Sequence, residues 1–232
     1  AERYYPFPLL ETHQLVNETL PDGAAVLISY CPLCGTGIVF SREIDGQVVA
    51  FGVSGMLWQS NLLMYNRAAT VSDQNLWSQV LGSAVVGDRA GEKLEVVSSD
   101  IITFGDWVER FPQGSTLVSG PPEDPYNGQY YTVAKNFTPD FDPTKSDVLP
   151  ETYVHGIVVN GQPKAYVSAN LFDGMTDIVA GERIFVTSTS STITFLSSNA
   201  DRAIPPTQIP DIEGFWFSWQ AAHPETELWQ GQ

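Results

Sequence analysis

Basic residues are scarce in this chain. Eleven lysines and arginines stand against 27 aspartates and glutamates in 232 residues, a formal net charge of −16. Phosphate and anionic lipid are held by a basic face, so the imbalance argues against nucleic-acid binding. Cysteine is rarer still, at two residues, which excludes a framework of long-range disulfides. Histidine occurs three times. No apolar run is long enough for a membrane-spanning helix. There is no Gly-x-Ser-x-Gly elbow, no Gly-rich phosphate loop between a strand and a helix, and no EF-hand loop. Ala1 reads as a processed or trimmed start. Few lysines, many acids and aromatics, and scarce cysteine point to an extracytoplasmic protein, whether periplasmic, secreted or surface-attached.

What is present describes a folded β protein. Hydrophobic residues make up 43% and aromatics 12%, too much for a disordered chain. Short β-branched runs of period two predict strands at 24–30, 37–42, 47–53, 62–65, 76–79, 94–98, 153–159, 164–167, 184–188 and 192–197. Asp45-Gly46 and Asn160-Gly161 are hairpin turns, because both residues of each pair tolerate positive φ. Helical readings are few: 9–16, 103–111 and 215–222. Residues 120–150 carry six prolines and read as a connection. It separates a first β half, 1–119, from a second, 151–232.

The halves resemble each other faintly. Arg3-Tyr4-Tyr5 matches Lys164-Ala165-Tyr166, and Trp107 with Phe111-Pro112 matches Trp219 with His223-Pro224. The expected fold is mainly β, a barrel or sandwich of two similar halves with a few short helices, packed as one unit.

Cys31-Pro32-Leu33-Cys34-Gly35 is the sharpest motif, and the second half lacks it. Two thiolates at this spacing can bite one tetrahedral ion, with proline stiffening the turn and glycine allowing a left-handed backbone. The soft donors suit copper first and zinc second. A redox dithiol is the companion reading, though a turn between two strands lacks the helix N-terminus that activates a thiol, and the alternative is an inert local disulfide in a surface or assembly module. His13, one element upstream, is the candidate third ligand. His155 reads as a core residue and His223 as a helix cap complementing the dipole. Met56 and Met64 read as core. A third reading is an enzyme on a small substrate, with a concave site near Cys31 lined by Tyr30, Arg42, Trp58 or Trp77.

Several runs together resemble one family: 26–40 around the cysteines, Phe51-Gly52-Val53-Ser54-Gly55, Leu63-Met64-Tyr65-Asn66-Arg67, Leu76-Trp77-Ser78-Gln79, and the closing His223-Pro224-Glu225-Thr226-Glu227-Leu228. The chain is similar there to the exported prokaryotic proteins of domain of unknown function 3179. That resemblance brings no activity with it. It implies a histidine after the helix start, matched by His13, and the pair Cys31 and Cys34. The family usually shows Asp-Arg where this chain has Asn66-Arg67 and Ser41-Arg42, and often His-Pro where it has Phe111-Pro112. These departures argue against catalytic roles at those positions.

Overall fold

The computed structural model describes residues 2–118, 141–189, 192–198 and 206–231. Most of the proline-rich connection, with its six prolines down to those at 143 and 150, lies outside the described residues.

The chain opens with helix α1 (Phe7–His13) and the meander β1 (Leu15–Thr19), β2 (Ala25–Cys31) and β3 (Thr36–Ser41). Four strands follow: β4 (Phe51–Trp58), β5 (Asn61–Asn66), β6 (Leu76–Ser78) and β7 (Ser83–Val86). Helix α2 (Phe104–Arg110) comes next. Beyond residue 141 lie β8 (Tyr153–Val159), β9 (Gln162–Val167), β10 (Thr176–Val179), β11 (Glu182–Ser188), β12 (Ile193–Ser198) and β13 (Thr207–Ile209). Then come β14 (Asp211–Phe215), α3 (Trp216–Ala222) and β15 (Glu227–Trp229).

The central sheet runs β1-β2-β3-β14-β8-β9-β15, and Val96–Val97 also pairs with β3. A second sheet runs β7-β6-β5-β4 and a third β10-β11-β12-β13. The fold is mainly β and layered, as the alternating pattern implied. The barrel alternative fails: β1 and β15 are the two edges of the central sheet and do not pair. Closure is a property of strand ends and shear, which alternation does not encode. The two halves share this sheet through one pair, Gly37 of β3 opposite Glu213 of β14.

Local chemistry explains the elements. The two predicted hairpin turns are present, with φ of 52° and 70° at Asp45-Gly46 and 48° and 81° at Asn160-Gly161. Helix α1 stops short of the reading over 9–16. Gln14 turns left-handed (φ 61°), its N–H closes on Leu10 O, and Val16 enters β1 opposite Ile28. Sheet pairing overrides the helical spacing there. Helices α2 and α3 end alike. Phe111 and His223 cap them with N–H bonds to Trp107 O and Trp219 O. In each case a parallel strand pair follows, Arg3 with Ser115 and Lys164 with Glu227. The likeness stops at the hairpins: β2 and β3 belong to the central sheet, β11 and β12 to a separate one.

One face of the central sheet is dry over β2, β3 and the start of β8, while Asn17 and Thr19 of β1 and Val158 of β8 stay exposed on it. Leu27, Cys31, Ile38 and Phe40 pack with Phe51, Leu62, Met64 and Trp77 of the second sheet, and Val154 and Ala165 pack under Trp216 and Trp219 of α3. Two glycines permit the close approach. A Cβ at Gly156 would fall 2.3 Å from the Trp219 ring, and one at Gly214 would fall 2.6 Å from Thr36 Oγ1.

Gly156→Ala should therefore lower stability by about 2 kcal/mol, the usual cost of overpacking a core. Gly105→Ala, where a Cβ meets only Thr103 Oγ1 at 3.8 Å, should be neutral or stabilising, by up to about 1 kcal/mol. Urea denaturation of both variants measures the contrast.

Candidate functional site

Cys31 ends β2 and Cys34 closes the turn into β3, where Cys34 N–H bonds Cys31 O at 3.1 Å. The two sulfurs are joined in a disulfide. Cys31 is 2% and Cys34 0% exposed. Cys34 Sγ rests 3.0 Å from the Ser60 carbonyl oxygen. That oxygen is presented by a β4–β5 turn in which Gln59 and Ser60 both have positive φ. A bonded sulfur carries no hydrogen, so this is a packing contact. Gly35, at φ 61°, is hemmed in: a Cβ would meet Tyr153 Oη at 3.0 Å and the Phe215 ring at 3.1 Å. The motif is thus the floor of a core cluster with Phe215 and Phe217.

His13 is exposed at the end of α1. Among the described residues, Cys31, Cys34 and His13 are not gathered into a group able to hold a metal. The other residues weighed for chemistry hold structure. Arg42 is buried and donates to the carbonyls of Val26, Val49 and Glu18. Trp77 Nε1 donates to Asn66 Oδ1 at 3.2 Å, and that oxygen also accepts from Asn75 N. Asn66 Nδ2 in turn donates to Asp73 O, a bond a carboxylate could not make. Met64 is fully buried, whereas Met56 and Trp58 are exposed on β4, the edge of its sheet. His223 stacks on Trp219 at 4.1 Å between ring centres. Burial pushes its pKa down to about 4, so at neutral pH it caps α3 through its backbone and not as a cation.

The opposite face of the central sheet carries different chemistry. One rung crosses it as Tyr30, Gly37, Glu213, His155 and Tyr166, with all side chains on the same side. Helix α1 covers one end with Leu9, Leu10, Val26, Ile28 and Tyr30. The third sheet covers the other end with Ile157, Tyr166, Val186 and Phe195. Between these apolar clusters lies a polar cleft of about 430 Å³. It is lined by His155, Asp100, Asp106, Asp211 and Glu213, and by the hydroxyls of Ser99, Thr103, Ser168, Ser188, Thr189 and Thr192.

The charges in the cleft are strongly coupled. His155 is 6% exposed, and its Nδ1 lies 2.7 Å from Asp211 Oδ2. Burial alone would lower the imidazole pKa, but the Asp211 hydrogen bond and the charges of Asp211 and Glu213 outweigh it and raise it. Glu213 is raised by burial first, then by Asp211 and Asp100, with His155 opposing. Asp100 is raised by burial, against Arg110 at 3.7 Å. Among the described residues no donor bonds the Glu213 carboxyl, and Ser168 Oγ is buried without a hydrogen-bond partner. A cleft with shifted acids beside an unsatisfied polar group is a candidate ligand site.

The sequence reading left Asp100, Asp211 and Glu213 out and gave His155 to the core. Its signal was available: acids at alternate positions of Asp211-Ile212-Glu213-Gly214 put two charges on one face of a strand.

The layered sheets, the buried disulfide and the acidic cleft describe a stapled β protein with a site of small-molecule size. The chain belongs to the family described as protein of unknown function (DUF3179), whose model matches residues 1–204. That span holds the cysteine turn, Asp100 and His155, while Asp211 and Glu213 lie beyond it. No curated protein and no solved structure matches the chain.

Native protein should give no free thiol with a chromogenic disulfide reagent under denaturing conditions, and two after reduction. The double variant Cys31→Ala/Cys34→Ala should lose about 2 kcal/mol in denaturant unfolding, the value for so short a closed loop.

Proposed function

We propose that the protein binds small amine-bearing cations in the cleft formed by Asp100, His155, Asp211 and Glu213, in an extracytoplasmic setting, with the Cys31–Cys34 bond as a structural staple. The observation that carries this reading is Glu213 itself: a carboxyl that no donor among the described residues bonds, between two apolar clusters and beside two further acids. A primary ammonium supplies the missing donors and opposes the charge, and the surrounding hydroxyls accept or donate to its substituents. A local disulfide accords with an oxidising compartment.

Copper or zinc at Cys31, Cys34 and His13 would first need the disulfide reduced and the imidazole brought in from the surface. Dithiol exchange would need a thiolate to reach two sulfurs that are 2% exposed or less. The cleft needs no such rearrangement.

Calorimetric titration with ethylamine should show binding that acetate and ethanol lack. Affinity should rise with pH. Glu213 and Asp100, raised above ordinary carboxyls, lose protons, and His155 loses its charge, so each titration makes the cleft more negative while the ammonium stays charged. Glu213→Gln should weaken binding about tenfold, or about 1.4 kcal/mol. Equal affinity for acetate, or affinity falling as pH rises, defeats the reading.

A further inference from the structure

A second cleft adjoins the first and has the opposite character. It has a volume of about 750 Å³ and is walled by Tyr4, Phe7, Leu9, Phe104 and Leu117. Ile101, Ile102 and Thr103 line both clefts, so one short stretch of backbone is their common wall. This wall reaches down to the sheet at Gly37. Gly37, in the middle of the polar rung, has no side chain, and Ile101 Cδ1 sits 3.3 Å from where its Cβ would be. Ile101 thus presents one edge beside Glu213 and His155 and lies at the margin of the aromatic cleft. The apolar walls are set by ring packing. Phe7 stacks on Tyr30 at 4.4 Å, and Tyr4 meets Phe104 edge-on at 5.4 Å. Phe104 is nevertheless 53% exposed, so an apolar surface faces solvent beside a cluster of partly buried acids.

We infer that the two clefts hold one ligand: a free, single-chain amphiphile with an amine head between Asp100, Glu213 and the His155–Asp211 pair, and an alkyl or aryl tail along Tyr4, Phe7 and Phe104. The head-group half of this inference rests on the amine-binding reading above. The tail half rests on the shared wall and the aromatic lining. Charge selects the head: the cleft carries four carboxyls, with Arg110 on Asp100 and His155 on Asp211 as the nearby cations. An anionic amphiphile such as a fatty acid would meet repulsion there, and a neutral one could donate a hydrogen bond but would leave the carboxylate charge unopposed. Removal of apolar area from water drives the tail.

The test is a homologous series, ethylamine to decylamine, with matched alkanols and alkanoates, titrated calorimetrically below micelle formation. Amine affinity should rise about fourfold per added methylene until the cleft is filled. Amines should bind more tightly than alkanols of equal length, and alkanoates most weakly. Phe104→Ser should flatten the rise per methylene, and Glu213→Gln should cut the preference of amine over alkanol about tenfold, with thermal unfolding confirming that both variants are folded. If ethylamine binds but longer chains gain nothing, the joined-cleft inference is overturned and the amine reading stands. If amines and alkanols gain equally and Glu213→Gln changes nothing, the aromatic cleft acts alone and both readings fall. Absence of binding across the series removes both as well.

Discussion

A sheet covered on both faces offers its middle strands no water, so a charge placed there must be paired or left beside a cavity. The central sheet of this protein meets that constraint asymmetrically. Its dry face is sealed by the second sheet and by α3, whose Trp219 lies directly over Gly156. Its other face is sealed only at the ends, by α1 and by the third sheet. The strands between carry His155, Asp211 and Glu213, and the gap above them is lined mainly by acids and hydroxyls, with Ile101, Ile102, Leu171 and Ile193 among them. The cleft exists because covers built by two halves of the chain do not meet.

The cysteine turn contributes to that arrangement from the far side of the sheet. Cys34 O accepts the Phe215 N–H at 2.8 Å, and Phe215 ends β14, the strand bearing Asp211 and Glu213. β14 is joined to β3 by the single pair Glu213 with Gly37, so the contact at Cys34 is a second tie between the two strands. A disulfide that stiffens the 31–34 turn therefore fixes the height at which the acidic strand crosses the sheet.

Much of the architecture was legible from residue pattern. Alternating apolar residues located β2, β3, β5, β6, β8, β9, β11 and β12 and the start of β4, but not β1, β7, β10, β13, β14 or β15; Asp45-Gly46 and Asn160-Gly161 located two turns because their residues tolerate a left-handed backbone. The α2 and α3 helices were readable to within a residue or two at each end. The overrun of α1 to Val16 shows the limit: Leu9, Leu10 and Val16 have helical spacing, but Val16 gains more from pairing with Ile28 than from another helical turn. The site was less legible. Cysteine spacing drew attention to a buried staple, since spacing reports what two sulfurs can reach and not whether solvent or a ligand can reach them. His155 looked like core because its neighbours in sequence are apolar, while its partners in space are Asp211 and Glu213.

The amino-acid sequence by itself determined that this chain is an acidic, mainly β protein with one local sulfur pair, no apolar stretch long enough for a membrane helix, and membership of a recognisable family. These follow from composition and from periodicities a few residues long. Only the tertiary structure decided that the sheets stay open, that the sulfurs are bonded and dry, and that the acids of β14 meet the histidine of β8. Strand order is set by which edges find a partner. It brings residues more than 50 positions apart within hydrogen-bonding distance, and no local pattern records that meeting.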